Sequence, residues 1–125
     1  MIWLAVAAGG ALGSLARHGV NVWFARVLVR AIPYATASVN LIGSAVVGLL
    51  AGLIAAGRLQ LSTELRTFVF VGILGGFTTF SSFMLDTLVL GQGGDQSIAL
   101  WNVALQIAFG LAAVWGGYRL GVSWG

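Results

Sequence analysis

The stretch Gly72-Ile73-Leu74-Gly75-Gly76-Phe77-Thr78-Thr79-Phe80-Ser81-Ser82-Phe83 decides how this chain is read. It lies inside a long apolar run, yet it holds a glycine pair followed closely by Thr78, Thr79, Ser81 and Ser82. Each glycine costs a helix interior about 1 kcal/mol relative to Ala. Thr and Ser side chains offer the backbone local hydrogen bonds that compete with the helical ladder. The pattern predicts a membrane helix that breaks near its middle, within this stretch and ahead of Phe80. Non-helical backbone at that depth is tolerated only where it is buried in protein or faces a watery cavity. A plain glycine kink for close packing is the competing reading, since glycine is common in membrane helices.

Composition agrees with lipid as the main solvent. Of 125 residues, 59% are hydrophobic and 7% charged, against roughly 45–50% and 25% in soluble domains. Six Arg and three acids could not cover a soluble surface of this size. The net charge of +3 is too dilute for a nucleic-acid footprint. With no Cys and one His, disulfides, thiol chemistry and the usual transition-metal ligand sets are excluded. No basic side chain precedes Arg17, so the first apolar stretch is expected to be a retained helix rather than a cleaved signal peptide.

The fold class expected is an all-α integral membrane protein with four transmembrane helices in one domain, residues 1–125. A span needs about 20 apolar residues. Four stretches qualify, at about residues 2–28, 34–56, 62–90 and 97–119, with the third broken mid-membrane. Pro33, Gly57 with Arg58, and the run Gly91-Gln92-Gly93-Gly94-Asp95 separate them. Ser62 is a good N-cap and Glu64 suits the first turn of the third helix. Trp3, Trp23, Tyr34, Trp101, Trp115, Tyr118 and Trp124 fall near the expected interfaces, as aromatic belts do.

Small residues recur four apart: Gly9 and Gly13 on the first helix, and Ser44, Gly48, Gly52 and Ala56 on the second. Such faces let helix backbones approach closely in lipid. A dimer seam and packing within one chain fit this equally well. With the N-terminus cytoplasmic, that side would hold Arg58, Arg66 and Arg119, and the other Arg26 and Arg30. So small a bias under the positive-inside rule permits insertion in both directions, and hence an antiparallel dimer. Four thin helices enclose little space, so a transport pathway forms more easily between two chains.

The polar side chains within the spans are few. Thr36, Asn40 and Ser44 form a stripe on the second helix; Asn102 and Gln106 share a face of the fourth. Each is either helix–helix glue or one wall of a wet pathway. Phe80 and Phe83 share a helix face, and their positive ring edges can meet a desolvated anion. Arg17 is costly inside a bilayer, so it snorkels or lines a vestibule. Asp86 is the one acid well inside a span, with pairing to an Arg as one reading. Carbonyls freed by the break are hard oxygen donors without a carboxylate, which suits a monovalent ion such as Na⁺ better than Ca²⁺.

Three segments, Gly9-Gly10-Ala11-Leu12-Gly13 with Arg17, then Asn40-Leu41-Ile42-Gly43, then Gly72 through Phe83, resemble in order the Fluc (CrcB) family of microbial fluoride channels. The resemblance covers essentially the whole chain. It implies an antiparallel, dual-topology homodimer in the cell (inner) membrane, with two pores that passively export cytoplasmic fluoride. Phe80 and Phe83 match the pore aromatics and Asn40 the pore asparagine. Ser81 and Ser82 fall beside the ion path, and Arg17 matches the vestibule arginine. Gly75 and Thr78 match the positions whose backbone carbonyls hold a structural Na⁺ at the dimer centre. The family's fourth helix carries a hydroxyl-rich track; here the comparable face offers Asn102, Gln106 and then Gly110. The alternative is a small four-helix multidrug-type transporter. That class relies on a Glu in its first helix, where this chain has only Arg17. An enzyme is not expected, because no nucleophile–base or carboxylate pair is present.

Overall fold

The structure, a computed structural model, describes residues 1–125. It is entirely helical. We label the helices α1 (Ile2–Val27), α2 (Tyr34–Ala55), α3 (residues 63–77), α4 (Phe80–Gln92) and α5 (Gln96–Ser123). α3 and α4 are the two halves of one span, Thr63–Gln92.

Three elements are both long and apolar enough to cross a membrane: α2, the α3–α4 span and α5. Of the four expected spans, these three meet both conditions. α1 has the length, 26 residues or about 39 Å, against a hydrocarbon core of about 30 Å. It falls short in apolarity, because Arg17, His18, Asn21 and Arg26 interrupt it.

The interior is the reverse of a soluble core. Only 16 of 125 residues are buried, and Val39 is the single large side chain fully enclosed. The other buried positions are mostly small or polar, including Thr36, Thr79, Asn102 and Gln106. Large apolar side chains point outward along every helix, and all seven interface aromatics are exposed. Water would not tolerate that surface; lipid does. This is a multi-pass membrane protein.

Glycine faces bring the helices together in two seams. In the first, α1 lies against α3: a Cβ on Gly9 would strike the Phe68 carbonyl, one on Gly13 the Ile73 carbonyl, and one on Gly76 the Gly10 carbonyl. In the second, α2 lies against α5, with Gly48 on the Val114 carbonyl, Gly52 on that of Tyr118 and Gly117 on that of Ala45. Both glycine faces singled out in the sequence are thus used for packing within the chain.

Helix ends follow side-chain chemistry. The Ser62 hydroxyl accepts from Leu65 N–H at 3.2 Å, and Glu64 sits in the first turn. Asp95 caps α5, accepting from Ser97 N–H at 3.0 Å and from the Ser97 hydroxyl at 2.6 Å. Those bonds hold the Asp95 carboxyl below the usual carboxylate range. The turns at either end of the bundle use Gly57 and Gly94 at φ +70° and +96°, where an L side chain would be strained. Two exposed arginines fold back over rings, Arg66 onto Phe70 and Arg119 onto Trp115, each at 5.9 Å.

Candidate functional site

The break in the third span is the centre of the site, and within the expected stretch it falls on the hydroxyl residues rather than the glycines. Gly75 and Gly76 remain helical; the backbone becomes extended at Thr78 (φ −84°, ψ 158°) and Thr79 (φ −153°, ψ 122°). The glycine pair serves close packing, with Gly76 against α1, so the kink reading explains the glycines and the hydroxyl residues make the break. Upstream, residues Thr67–Leu74 form eight residues of π-helix, a wider coil that often marks functional sites.

Asn40 on α2 holds the break open. Its Oδ1 accepts from Thr79 N–H at 2.8 Å, and its Nδ2 donates to the Thr79 carbonyl at 3.0 Å. One side chain thus replaces a backbone partner for an extended residue that is itself buried. A continuous helix would send Thr79 N–H to the Gly75 carbonyl and Ser82 N–H to the Thr78 carbonyl. Here Ser82 N–H goes to Thr79 Oγ1 at 3.2 Å instead, capping α4. The Thr78 carbonyl takes Arg17 Nη1 at 3.2 Å, and the Thr78 hydroxyl donates to the Leu74 carbonyl at 2.8 Å. Gly43 admits the Thr78 methyl group, which any Cβ there would meet.

A chain of side-chain hydrogen bonds runs on from Asn40. Asn40 Nδ2 donates to Gln106 Oε1 (3.3 Å), Gln106 Nε2 to Asn102 Oδ1 (2.8 Å), and Asn102 Nδ2 to Thr87 Oγ1 (2.9 Å). Thr87 in turn donates to the Phe83 carbonyl at 2.8 Å. No buried side-chain polar atom in the molecule lacks a partner. The structure thereby joins the polar positions of the second and fourth helices into one network with the break. Thr36 is buried but takes no part in it. Ser81 and Ser82 lie close to Thr79 through their hydroxyls, at 3.4 and 3.2 Å. Arg17 bonds the break, not Asp86. Sequence reasoning passed over Thr87. Its signal was a polar residue four positions after Phe83, on the same face.

Phe80 and Phe83 meet edge to face, centroids 6.0 Å apart and planes at 84°. They differ sharply in exposure, Phe83 at 6% and Phe80 at 73%. With Asn40, Ser44, Gly75, Thr78 and Thr79 they line a groove of ≈ 370 Å³. It brings the clamp, both aromatic residues and the broken backbone to one place.

A helical membrane protein with a broken span, clamped by an amide and flanked by paired aromatics, is a narrow class. A family model described as CrcB-like protein, Camphor Resistance (CrcB), matches residues 4–118. The chain belongs to the CrcB family. The protein of Symbiobacterium thermophilum described as fluoride-specific ion channel FluC 2 is 45% identical over 120 residues, covering 95% of this chain and 96% of that protein. Those of Allorhizobium ampelinum and Thermus thermophilus, described as fluoride-specific ion channel FluC, are each 46% identical. They cover 93% and 95% of this chain, and 92% of their own lengths.

Proposed function

We propose that this chain forms a fluoride-selective channel that lets cytoplasmic fluoride leave passively across the cell (inner) membrane, and that two antiparallel copies complete it. The ion comes from relatives described as fluoride-specific channels along nearly their whole length. The observation that carries the reading here is the groove beside the break. Phe80, Phe83 and Asn40 line it together with Thr78 and Thr79. A polar groove facing lipid is unfavourable, and a second copy on that face would enclose it. Arg26 and Arg30 lie toward one end of the bundle and Arg58, Arg66 and Arg119 toward the other, which supports insertion both ways.

Fluoride is small and strongly hydrated. A pore must replace its water with donors and positive ring edges, weakly enough for the ion to leave. Phe80 and Phe83 would supply ring edges, and Ser81, Ser82, Asn102 and Gln106 donors. Thr36, buried and outside the hydrogen-bond network, would shape the wall. Arg17 would raise the local anion concentration at the vestibule. A potential of 100 mV, negative inside, favours anion exit by about 2.3 kcal/mol, so no energy coupling is needed.

The Gly75 and Thr78 carbonyls suit a structural Na⁺. Both lose the donor that a continuous helix would give them, because Thr79 N–H turns to Asn40 and Ser82 N–H to Thr79. The Thr78 carbonyl has taken the Arg17 guanidinium in place of that donor, so Na⁺ would have to displace it, and the Gly75 carbonyl is the freer of the two. Bound there, Na⁺ would supply positive charge joining the breaks of two chains. The decisive experiment is fluoride efflux from liposomes carrying the purified dimer. Fluoride should pass with chloride largely excluded; folded protein without fluoride flux refutes the reading. Exchange of Na⁺ for a large organic cation should weaken the dimer, and unchanged dimer affinity would reject the Na⁺ assignment.

A further inference from the structure

The hydrogen-bond chain from Asn40 has a direction, and one backbone group sets it. An N–H can donate only to an oxygen, so Thr79 N–H requires the Asn40 oxygen to face it. That turns Asn40 Nδ2 toward the Thr79 carbonyl and Gln106. Gln106 must then present its oxygen to Asn40 and its nitrogen to Asn102, and Asn102 its nitrogen to Thr87. The Thr87 hydrogen is left for the Phe83 carbonyl. The relay starts on a backbone N–H and ends on a backbone C=O; reversing Asn40 or Gln106 would set like groups against each other at both neighbours, and reversing Asn102 would do so at Gln106 and cost Thr87 its bond to the Phe83 carbonyl.

We propose that Gln106 is a positioning residue that locks the Asn40 amide in this order, and that the ordered relay offers passing ions N–H donors rather than oxygens. Each amide oxygen of the relay already accepts a hydrogen bond. Gln106 Nε2 and Asn102 Nδ2 each keep one hydrogen to spare, and both residues line a second, apolar groove of ≈ 290 Å³ between α2 and α5, which the Asn40 clamp links to the groove beside the break. A hydroxyl can donate or accept by rotating, so it carries no fixed order; a carboxamide in this relay does. The inference rests on the fluoride-pathway reading.

The test uses Gln106→Leu and Gln106→Glu in liposomes, with wild type alongside. Gln106→Leu removes both the acceptor for Asn40 and the donor to Asn102, and fluoride flux should fall about tenfold or more at every pH. Gln106→Glu keeps the acceptor but, when ionised, has no proton for Asn102 Oδ1. Protonated, its O–H restores that donor with the same shape. Burial at this position disfavours the ionised carboxylate, so flux through Gln106→Glu should be low at pH 8.5 and rise toward wild type as pH falls to 5.5 and below. A purely structural loss gives no such recovery. Tyr34 on α2, Asp86 beside Thr87 on α4, and Tyr118 and Arg119 near the far end of α5 are the titratable and charged groups of α5 and the helices packed on it, and Arg17 reaches the break from α1. All are unchanged in both variants, so the wild-type profile is the control. Wild-type flux in Gln106→Leu, or a flat profile in Gln106→Glu, overturns the proposal. Absence of flux in wild type would instead overturn the fluoride reading. If neither variant folds, side-chain amide NMR of Asn-labelled wild type decides. Both Asn40 protons should be hydrogen-bonded and static, and a flipping Asn40 amide overturns the proposal.

Discussion

Replacing Asn40 with Ala tests the clamp directly. The change removes the bonds to Thr79 N–H (2.8 Å), the Thr79 carbonyl (3.0 Å) and Gln106 Oε1 (3.3 Å). Interhelical hydrogen bonds in membranes average about 0.6 kcal/mol each, so the three set a floor of about 2 kcal/mol. That floor assumes that the abandoned groups find other partners. Thr79 and Gln106 are 8% and 9% exposed, so water does not reach them freely. A buried group left unpaired costs about 1–3 kcal/mol, and the extended backbone at Thr79 has no second side chain to turn to. The expected loss is therefore about 2–5 kcal/mol. Equilibrium unfolding in mixed micelles measures it, with Thr36→Val as the control. Thr36 is more buried than Asn40 but lies outside the relay, so its loss should stay under about 1 kcal/mol. If Asn40→Ala unfolds within about 0.5 kcal/mol of wild type, the clamp does not hold the break and the reasoning fails.

Gly13→Ala should destabilise the α1–α3 seam by about 1–3 kcal/mol, because its Cβ meets the Ile73 carbonyl, whereas Gly19→Ala, with open space around it, should not; thermal melts of the two compare them. Phe83→Ile should lower both stability and fluoride flux. Phe80→Ile should lower the protomer's melt less than Phe83→Ile, since Phe80 is mostly exposed and loses only its edge-to-face contact, yet cut flux; unchanged flux in both would remove the aromatic assignment. Asp95, its carboxyl held low by Ser97, should stabilise the start of α5 above the ordinary carboxylate range, and that support should vanish as pH falls through the lowered value. Asp95→Ala should flatten this acid limb of the melting profile, and a limb unchanged in the variant rejects the cap.

Much of the fold was legible because lipid imposes simple arithmetic. Length, apolarity and Pro or Gly punctuation locate the long helices to within a few residues at most ends. α1 was harder to judge, since Arg17, His18 and Arg26 lower its apolarity without shortening it. The break was visible as a polar island, but its register was not. Propensity puts the weakness at Gly75 and Gly76, whereas the tight fit of Gly76 on α1 keeps them helical, and Asn40 draws the opening to Thr79. The small-residue faces were legible as packing faces, yet spacing alone cannot say which helix fills them.

The sequence by itself determined a chain that must live in lipid, with a polar island in its third span and isolated amides in its second and fourth. Those follow from composition and period, which are local. Only the tertiary structure decided that Asn40, Asn102, Gln106 and Thr87 belong to one relay, with residues as far as 66 positions apart sharing a hydrogen bond. The direction of that relay is likewise tertiary. It depends on one backbone N–H turning away from its helix to meet an oxygen on another, and no local pattern records that.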